Sequence, residues 1–368
     1  MLTRLYIDNF RCFVNFEYRP GRKQLLLGAN GTGKSSLIDA LLFIRGHVVA
    51  GMLFDDAPIR QLTTRWITRL DQRFEIEASI ADQTYLYVLR TDIADDGSKW
   101  SVVQEALYLN QRPLLEFVSG QVTLHGSGTI ETVTYPLEPN RSSLASIPDQ
   151  VPYKGIATFR NWLNSVRLFR INPFSMLASS EKESLGLKPD LSNFASWYRS
   201  SLLSSPKQQA QFLVSLQAAI EGFDVFRMPS QREDNRTLIA EFAASDQASV
   251  GFSLTELSEG QKCLVGLYAI LHFFMGRGET VFIDEPDNFI SLREIQPWLT
   301  ALSDALDDGK GQAILISHHP ELINQWAPDY GVEFFRDGNG PVRVRRFEGD
   351  SESPLSPAEL IARGWDNA

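Results

Sequence analysis

The sequence predicts an α/β fold with a mixed or parallel sheet, an N-terminal antiparallel β region and a small inserted helical lobe. Three observations carry that expectation. A short apolar strand at 24–27 runs into a glycine-rich turn and then into a helix with one apolar face at 34–45. Residues 73–80 and 84–91 alternate apolar and polar like the arms of a hairpin. From about 236 the chain reads strand, helix (261–275), strand (280–284), helix (291–306), strand (312–317), the alternation that covers a sheet with helices.

The remaining elements follow in order. Residues 2–8, LTRLYID, alternate as a strand. After the hairpin, β-like sequence continues from Trp100 to about Tyr135, with turns at Asp95-Asp96-Gly97 and Gly126-Ser127-Gly128. The stretch 136–155, rich in Pro, Ser and Asn, reads as a loop, and 156–170 as a helix followed by a strand. Residues 174–224 carry Ser, Leu, Gln and Ala at helical spacing, which predicts the lobe. The division is therefore 1–170, 171–235 and 236–368. There is no internal repeat and no heptad run long enough for a coiled-coil arm.

Composition narrows the function classes. Of 368 residues, 43% are hydrophobic and 22% charged, which is globular usage. A net charge of -10 lends no support to a protein that coats nucleic acid, and it disfavours an anionic membrane surface. Cys12 and Cys263 lie far apart in apolar surroundings, outside any metal-type spacing, and read as buried reduced thiols of a cytoplasmic protein. MLTRLYIDNF has no apolar core of signal-peptide length. The longest apolar stretch, Cys263–Met275, is too short to span a bilayer and reads as a buried helix, so no membrane partner is expected.

Four motifs carry chemistry. The first, Gly28-Ala-Asn-Gly-Thr-Gly-Lys-Ser35, fits GxxxxGK[ST] between a strand and a helix. Phosphate binding needs several backbone N–H groups aimed at one point, and glycines let the chain curl that tightly. Asn30, Gly31, Gly33, Lys34, Ser35 and Ser36 are the nucleotide-binding set, with Lys34 serving the β/γ-phosphates of ATP and the Ser35 hydroxyl a Mg²⁺ ion. The second is Val281-Phe-Ile-Asp284-Glu285-Pro-Asp287, an apolar strand ending in adjacent acids. Asp284 is placed to hold the metal and Glu285 to polarise an attacking water.

The third is Leu257-Ser258-Glu259-Gly260-Gln261-Lys262, just before an apolar helix. Ser258 followed by Gln261 fits a capping box, yet Ser258 with the N–H of Gly260 at a helix start also makes a second phosphate clamp. The fourth is Ile314-Leu-Ile-Ser-His318-His319-Pro320, a buried strand ending in polar residues at the edge where such sheets bind ligands. A histidine there is a candidate sensor of the γ-phosphate.

In this order the four motifs resemble Walker A, signature, Walker B with its D-loop, and the switch histidine of ABC-type P-loop ATPases. The opening Leu5-Tyr-Ile-Asp-Asn-Phe-Arg-Cys-Phe13 resembles the first strand of SMC, RecF and OLD-type heads. The resemblance implies a P-loop NTPase with an ABC-ATPase head fold, ATP hydrolysis, and two heads pairing around ATP as a homodimer or higher assembly. Ser258 and Gly260 would then contact the γ-phosphate in trans, Asp287 would lie in the D-loop, and His318 rather than His319 would take the switch position. Arg11 is either a phosphate or adenine contact or a salt-bridged arginine.

Some family features are missing. No Q-loop glutamine is evident near Leu168–Pro173, where Asn172 stands in as candidate. The long coiled coil of SMC proteins and the Toprim nuclease domain of OLD proteins have no counterpart, so nuclease activity would come from a partner. The reading is a regulatory ATPase acting in DNA-linked processes or anti-phage defence with a separate effector protein or nuclease. The alternative is a RecF-like repair ATPase acting directly on DNA, for which the Arg-rich stretches Arg60–Arg73 and Arg160–Arg170 are the candidate contacts. A transporter ATPase subunit fits the opening strand less well.

Overall fold

In this computed structural model all residues are described except 55–61, 94–98, 127–130, 149–152, 233, 244–248, 350–354 and 364–368. The turn expected at Asp95-Asp96-Gly97, residues 127 and 128 of the next turn, and Arg60 lie outside the described residues. The chain forms two compact units. The first comprises Met1–Gly21, Leu26–Val166 and Val332–Phe347; the second Arg22–Leu25, Arg167–Gly331 and Glu348–Ala368.

The first unit holds the antiparallel region that the alternation predicted. Eight strands pair in the order β2-β1-β4-β5-β6-β7-β8-β9. They are β1 (Leu2–Asp8), β2 (Phe16–Tyr18), β4 (Gln72–Ile80), β5 (Gln83–Ile93), β6 (Trp100–Leu109), β7 (Arg112–Val118), β8 (Gln121–Leu124) and β9 (Val133–Pro136). Every neighbouring pair is antiparallel. Between β2 and β4 run β3 (Lys23–Leu27) and the helix Lys34–Val48, whose Leu37, Leu41 and Ile44 are buried. Phe10, Phe43 and Phe74 meet at centroid distances of 5.4–5.7 Å, so apolar burial and ring packing tie β1 and β4 to that helix. At the far end of the unit a buried Glu105 accepts from the Tyr87 hydroxyl, the Ser142 hydroxyl and the Ser143 amide, which anchors the loop after β9.

The second unit is built on parallel strands. Here β10 (Arg167–Phe169), β17 (Thr280–Asp284) and β18 (Gln312–Ile316) lie side by side, and Ala313 N–H donates to Arg22 O at the edge leading into β3. β17 and β18 are buried at every position, as parallel strands covered on both faces must be. The apolar stretch at 263–275 is the buried helix it was expected to be, spanning Glu259–Phe273. The segment 171–235 carries the expected helices at Phe194–Ser204 and Pro206–Ala219, but it is helical only in part. It also contributes β11 (Ser179–Ser180), β12 (Phe223–Arg227), β13 (Ser230–Arg232) and the first residue of β14 (Asn235–Thr237). With β15 (Ile239–Phe242) and β16 (Val250–Ser253) these form two three-stranded antiparallel sheets. Strands of two to five residues are too short to show an alternation, which is why helical spacing dominated the reading. The last strands, β19 (Gly331–Arg336) and β20 (Val342–Arg346), pair antiparallel and return from Val332 onward to the first unit.

Candidate functional site

The first unit carries the phosphate loop. Gly28, Gly31 and Gly33 have φ of 128°, 80° and 93°, conformations that glycine adopts at little cost. A Cβ at Gly28 would stand 2.2 Å from the Phe334 carbonyl oxygen, and one at Gly33 would stand 2.6 Å from the Cys12 sulfur. The loop is therefore backed by β19 on one side and by the turn after β1 on the other. No side chain caps the helix that starts at Lys34, and its first turn holds no acid. An uncapped helix N-terminus presents several N–H groups and the positive end of its dipole, which suits an anion. Lys34 is 7% exposed and donates to the carbonyls of Gly28 at 2.5 Å and Ala29 at 3.1 Å, so the ammonium is folded over the loop. Asn30 and Gly31 are exposed at its tip, and Ser35 and Ser36 are half-buried.

Beside it, the Asn9-Phe10-Arg11 turn is fixed by Asn9, which donates to the Arg69 and Asp71 carbonyls. Arg11 follows in a left-handed conformation, and its guanidinium pairs with Asp39 on the phosphate-loop helix. Of the two readings of Arg11, the salt-bridged one describes this structure. The Cys12 thiol is buried, and that burial pushes its pKa up.

The second unit carries Ser258, Gly260, Asp284, Glu285 and His318, of which Asp284, Glu285 and His318 stand at or just beyond the C-terminal ends of β17 and β18. Asp284 closes β17, level with Ile316 of β18, and its side chain is 4% exposed. Glu285 is exposed in a left-handed turn with φ 53°, its N–H held by Ile316 O at 2.8 Å and its Oε2 accepting from Asn288 at 2.6 Å. Asp287 accepts from the Ser317 hydroxyl at 2.6 Å, and that hydroxyl accepts from the His319 N–H at 2.9 Å. The two strand ends are thereby laced together. His319 caps the next helix by accepting from the Glu321 N–H, while His318 stands exposed.

Ser258 forms the expected capping box: its hydroxyl accepts from Gln261 N–H at 3.2 Å, and the Gln261 side chain accepts from Ser258 N–H at 3.0 Å. Gly260 packs against the turn after β17, since a Cβ there would stand 2.9 Å from the Phe289 carbonyl oxygen. Asn172, the candidate at the Q-loop position, accepts from the Phe174 N–H in its own turn. The side chain that reaches Asp284 is instead Arg170, with Nε 2.9 Å from Oδ2. The sequence reading missed this role. Its only signal was the position of Arg170 directly after the apolar Leu168-Phe169, and the signal becomes legible only once β10 is known to lie next to β17.

The two Arg-rich stretches are largely engaged internally. Arg69 pairs with Asp8 and Asp71, Arg73 with Glu75, Arg167 with Glu279 and Arg170 with Asp284. Arg160 donates to the Leu144 and Ile147 carbonyls. Among the described residues no helix is long and apolar enough to cross a membrane, and no three or more His, Cys, Asp or Glu group as a metal site.

Two family models match the chain. One, described as "AAA domain, putative AbiEii toxin, Type IV TA system", covers residues 138–324, and the other, described as "AAA domain", covers residues 4–125. Among solved structures, an SmcHead bound to the C-winged helix domain of ScpA is similar over 94% of this chain and 98% of its own. The identity is 14% and the TM-score 0.52, a likeness of fold. The SMC head domain from Thermotoga maritima aligns over 95% of this chain and 99% of its own, at 14% identity and a TM-score of 0.49. The comparison with curated proteins finds no match.

Proposed function

The chain belongs to the AAA-domain family whose description names a putative AbiEii toxin of a type IV TA system, and from that premise we propose that it binds and hydrolyses ATP as a head that pairs with a second copy of itself around the nucleotide. The observation that carries the proposal is the phosphate loop. It combines an uncapped helix N-terminus, three left-handed glycines and a lysine folded over the loop carbonyls. Such a lysine exchanges its carbonyl partners for phosphate oxygens when a nucleotide arrives.

In this reading Asn30, Gly31, Gly33, Lys34, Ser35 and Ser36 take the phosphates of one ATP, and Ser35 and Asp284 take Mg²⁺. The donor set fits that ion: a hydroxyl and a carboxylate are hard oxygen ligands, and Mg²⁺ uses few protein ligands beside phosphate and water. The bound ion neutralises charge on the β- and γ-phosphates. Glu285, exposed and oriented by Asn288, is the base that aligns the attacking water, and His318 reads the γ-phosphate. Ser258 and Gly260 of the second copy close the site from the other side, with Arg11 as a nucleotide contact once it exchanges Asp39 for the ligand.

The paired head then acts as a switch on a separate effector protein or nuclease, in DNA-linked processes or phage defence. The toxin named by the family description supports an effector context. The ScpA domain bound to the similar SmcHead supports a protein partner. Direct DNA action draws less support, because Arg69, Arg73, Arg167 and Arg170 of the two candidate stretches are paired with carboxylates.

The test is the steady-state ATPase rate as a function of protein concentration, with and without double-stranded DNA at physiological salt. Specific activity that rises with concentration and ignores DNA is the expected result. Constant specific activity would refute pairing, and stimulation by DNA would favour the repair reading.

A further inference from the structure

The register of β10 against β17 sets Phe169 opposite Ile283, so Arg170, the next residue, stands level with Asp284. Its guanidinium donates twice to a single carboxylate oxygen, through Nε at 2.9 Å and through Nη2. The partners differ sharply in exposure, with 4% for the Asp284 side chain and 66% for that of Arg170. A carboxylate so buried needs a counter-charge. An arginine so exposed can leave without giving up much packing, because most of its stem already lies in water. No motif assigns Arg170 a role.

We propose that Arg170 is the displaceable counter-ion of Asp284: without metal its guanidinium takes the place of Mg²⁺ on the carboxylate, and Mg²⁺ arriving with nucleotide expels it into solvent. The proposal rests on reading Asp284 as a metal ligand. A divalent cation on either oxygen of that carboxylate would stand beside the guanidinium, and the two cations repel at such short distance, so each weakens the hold of the other. Free Mg²⁺ must therefore compete with a tethered cation, whereas Mg²⁺ carried on a triphosphate brings further ligands and displaces it. Arg170 thus couples metal entry to nucleotide entry, and it keeps the acid neutralised between cycles.

The test uses Mn²⁺, a paramagnetic stand-in for Mg²⁺, titrated into the full chain without nucleotide and followed by electron paramagnetic resonance. Arg170→Ala should bind Mn²⁺ about tenfold more tightly than wild type, the low end of what a contacting opposite charge does to an acid. Arg170→Lys should stay near wild type, and Arg170→Ala combined with Asp284→Asn should lose the gain. Mn²⁺ should also raise the melting temperature of Arg170→Ala more than that of wild type. Should Arg170→Ala fail to fold, Arg170→Gln, a neutral donor, carries the same test. A folded neutral variant that binds Mn²⁺ no more tightly than wild type overturns the proposal, as does a double variant that keeps the gain. Binding of a fluorescent ADP to wild type and Lys34→Ala is measured separately. A failure there refutes the nucleotide reading and leaves the Mn²⁺ comparison standing.

Discussion

Gly33 shows how little room the phosphate loop leaves a side chain. Its φ of 93° disfavours any Cβ, and a Cβ there would collide with the Cys12 sulfur. Gly33→Ala is expected to lower stability by about 1–3 kcal/mol, the usual range for a residue held in a disfavoured backbone region. A Cys12→Ala background should recover the collision but not the backbone strain, which denaturant midpoints of the single and double variants will separate. Lys34→Ala should abolish ATP binding while leaving the melting temperature close to wild type, and retained tight binding would sink the loop assignment. Glu285→Gln should bind ATP but turn it over about 10²–10⁴ times more slowly, the share a positioned base contributes. Wild-type turnover would mean that another group aligns the water. Lys34, Asp284 and Glu285 could be singled out as candidates from sequence because each sits in a motif whose spacing suits the chemistry proposed for it. Arg170 could not, because its partner is 114 positions away and is set by strand order alone.

The helix Glu259–Phe273 begins at a serine to which the sequence offers two roles, a cap and a phosphate clamp. The capping box at Ser258 is present, so Ser258→Ala should cost about 1 kcal/mol through the cap alone. Ser258→Asp keeps a capping oxygen and should preserve stability, yet it should lose ATPase activity if a γ-phosphate docks there, since it sets charge against charge. Equal activity in Ser258→Asp and wild type would leave the serine as a cap and nothing more. At the other end of the same helix, His272 is pushed down to about 4 by burial and bonds to the Ser215 hydroxyl. In the unfolded chain it titrates near 6.5, so between these values the unfolded state binds more protons. Stability from this group is full above about pH 6.5 and is lost as pH falls toward about 4. Urea midpoints at pH 7 and 5 should differ more for wild type than for His272→Gln. The helix itself was plain in sequence as a long apolar run. The short strands of 171–235 were not, since two to five residues carry no readable period.

For the whole molecule, pairing is the claim most exposed to test. Glu285→Gln with ATP and Mg²⁺ should accumulate a species of twice the monomer mass in size-exclusion chromatography with light scattering. Ser258→Arg should stay monomeric while still binding nucleotide, and unchanged ATPase in that variant would refute a site completed in trans. The α/β class, the antiparallel N-terminal region and the order of motifs were all legible, because periodicity and glycine placement are local. The division into units was not, because each unit gathers distant segments: Val332–Phe347 joins the first, and Arg22–Leu25 joins the second. This threading has a consequence during synthesis. The ribosome delivers Gly28 first, and the carbonyl of Phe334 that backs it emerges only 306 residues later (334 − 28). A nascent or truncated chain thus carries the motif without the wall behind it, and the loop becomes a competent anion cradle only after the late strand has docked. Nucleotide capture would then report that the polypeptide has been made through Phe334 and folded, a quality check placed in the same glycine turn that holds the phosphates.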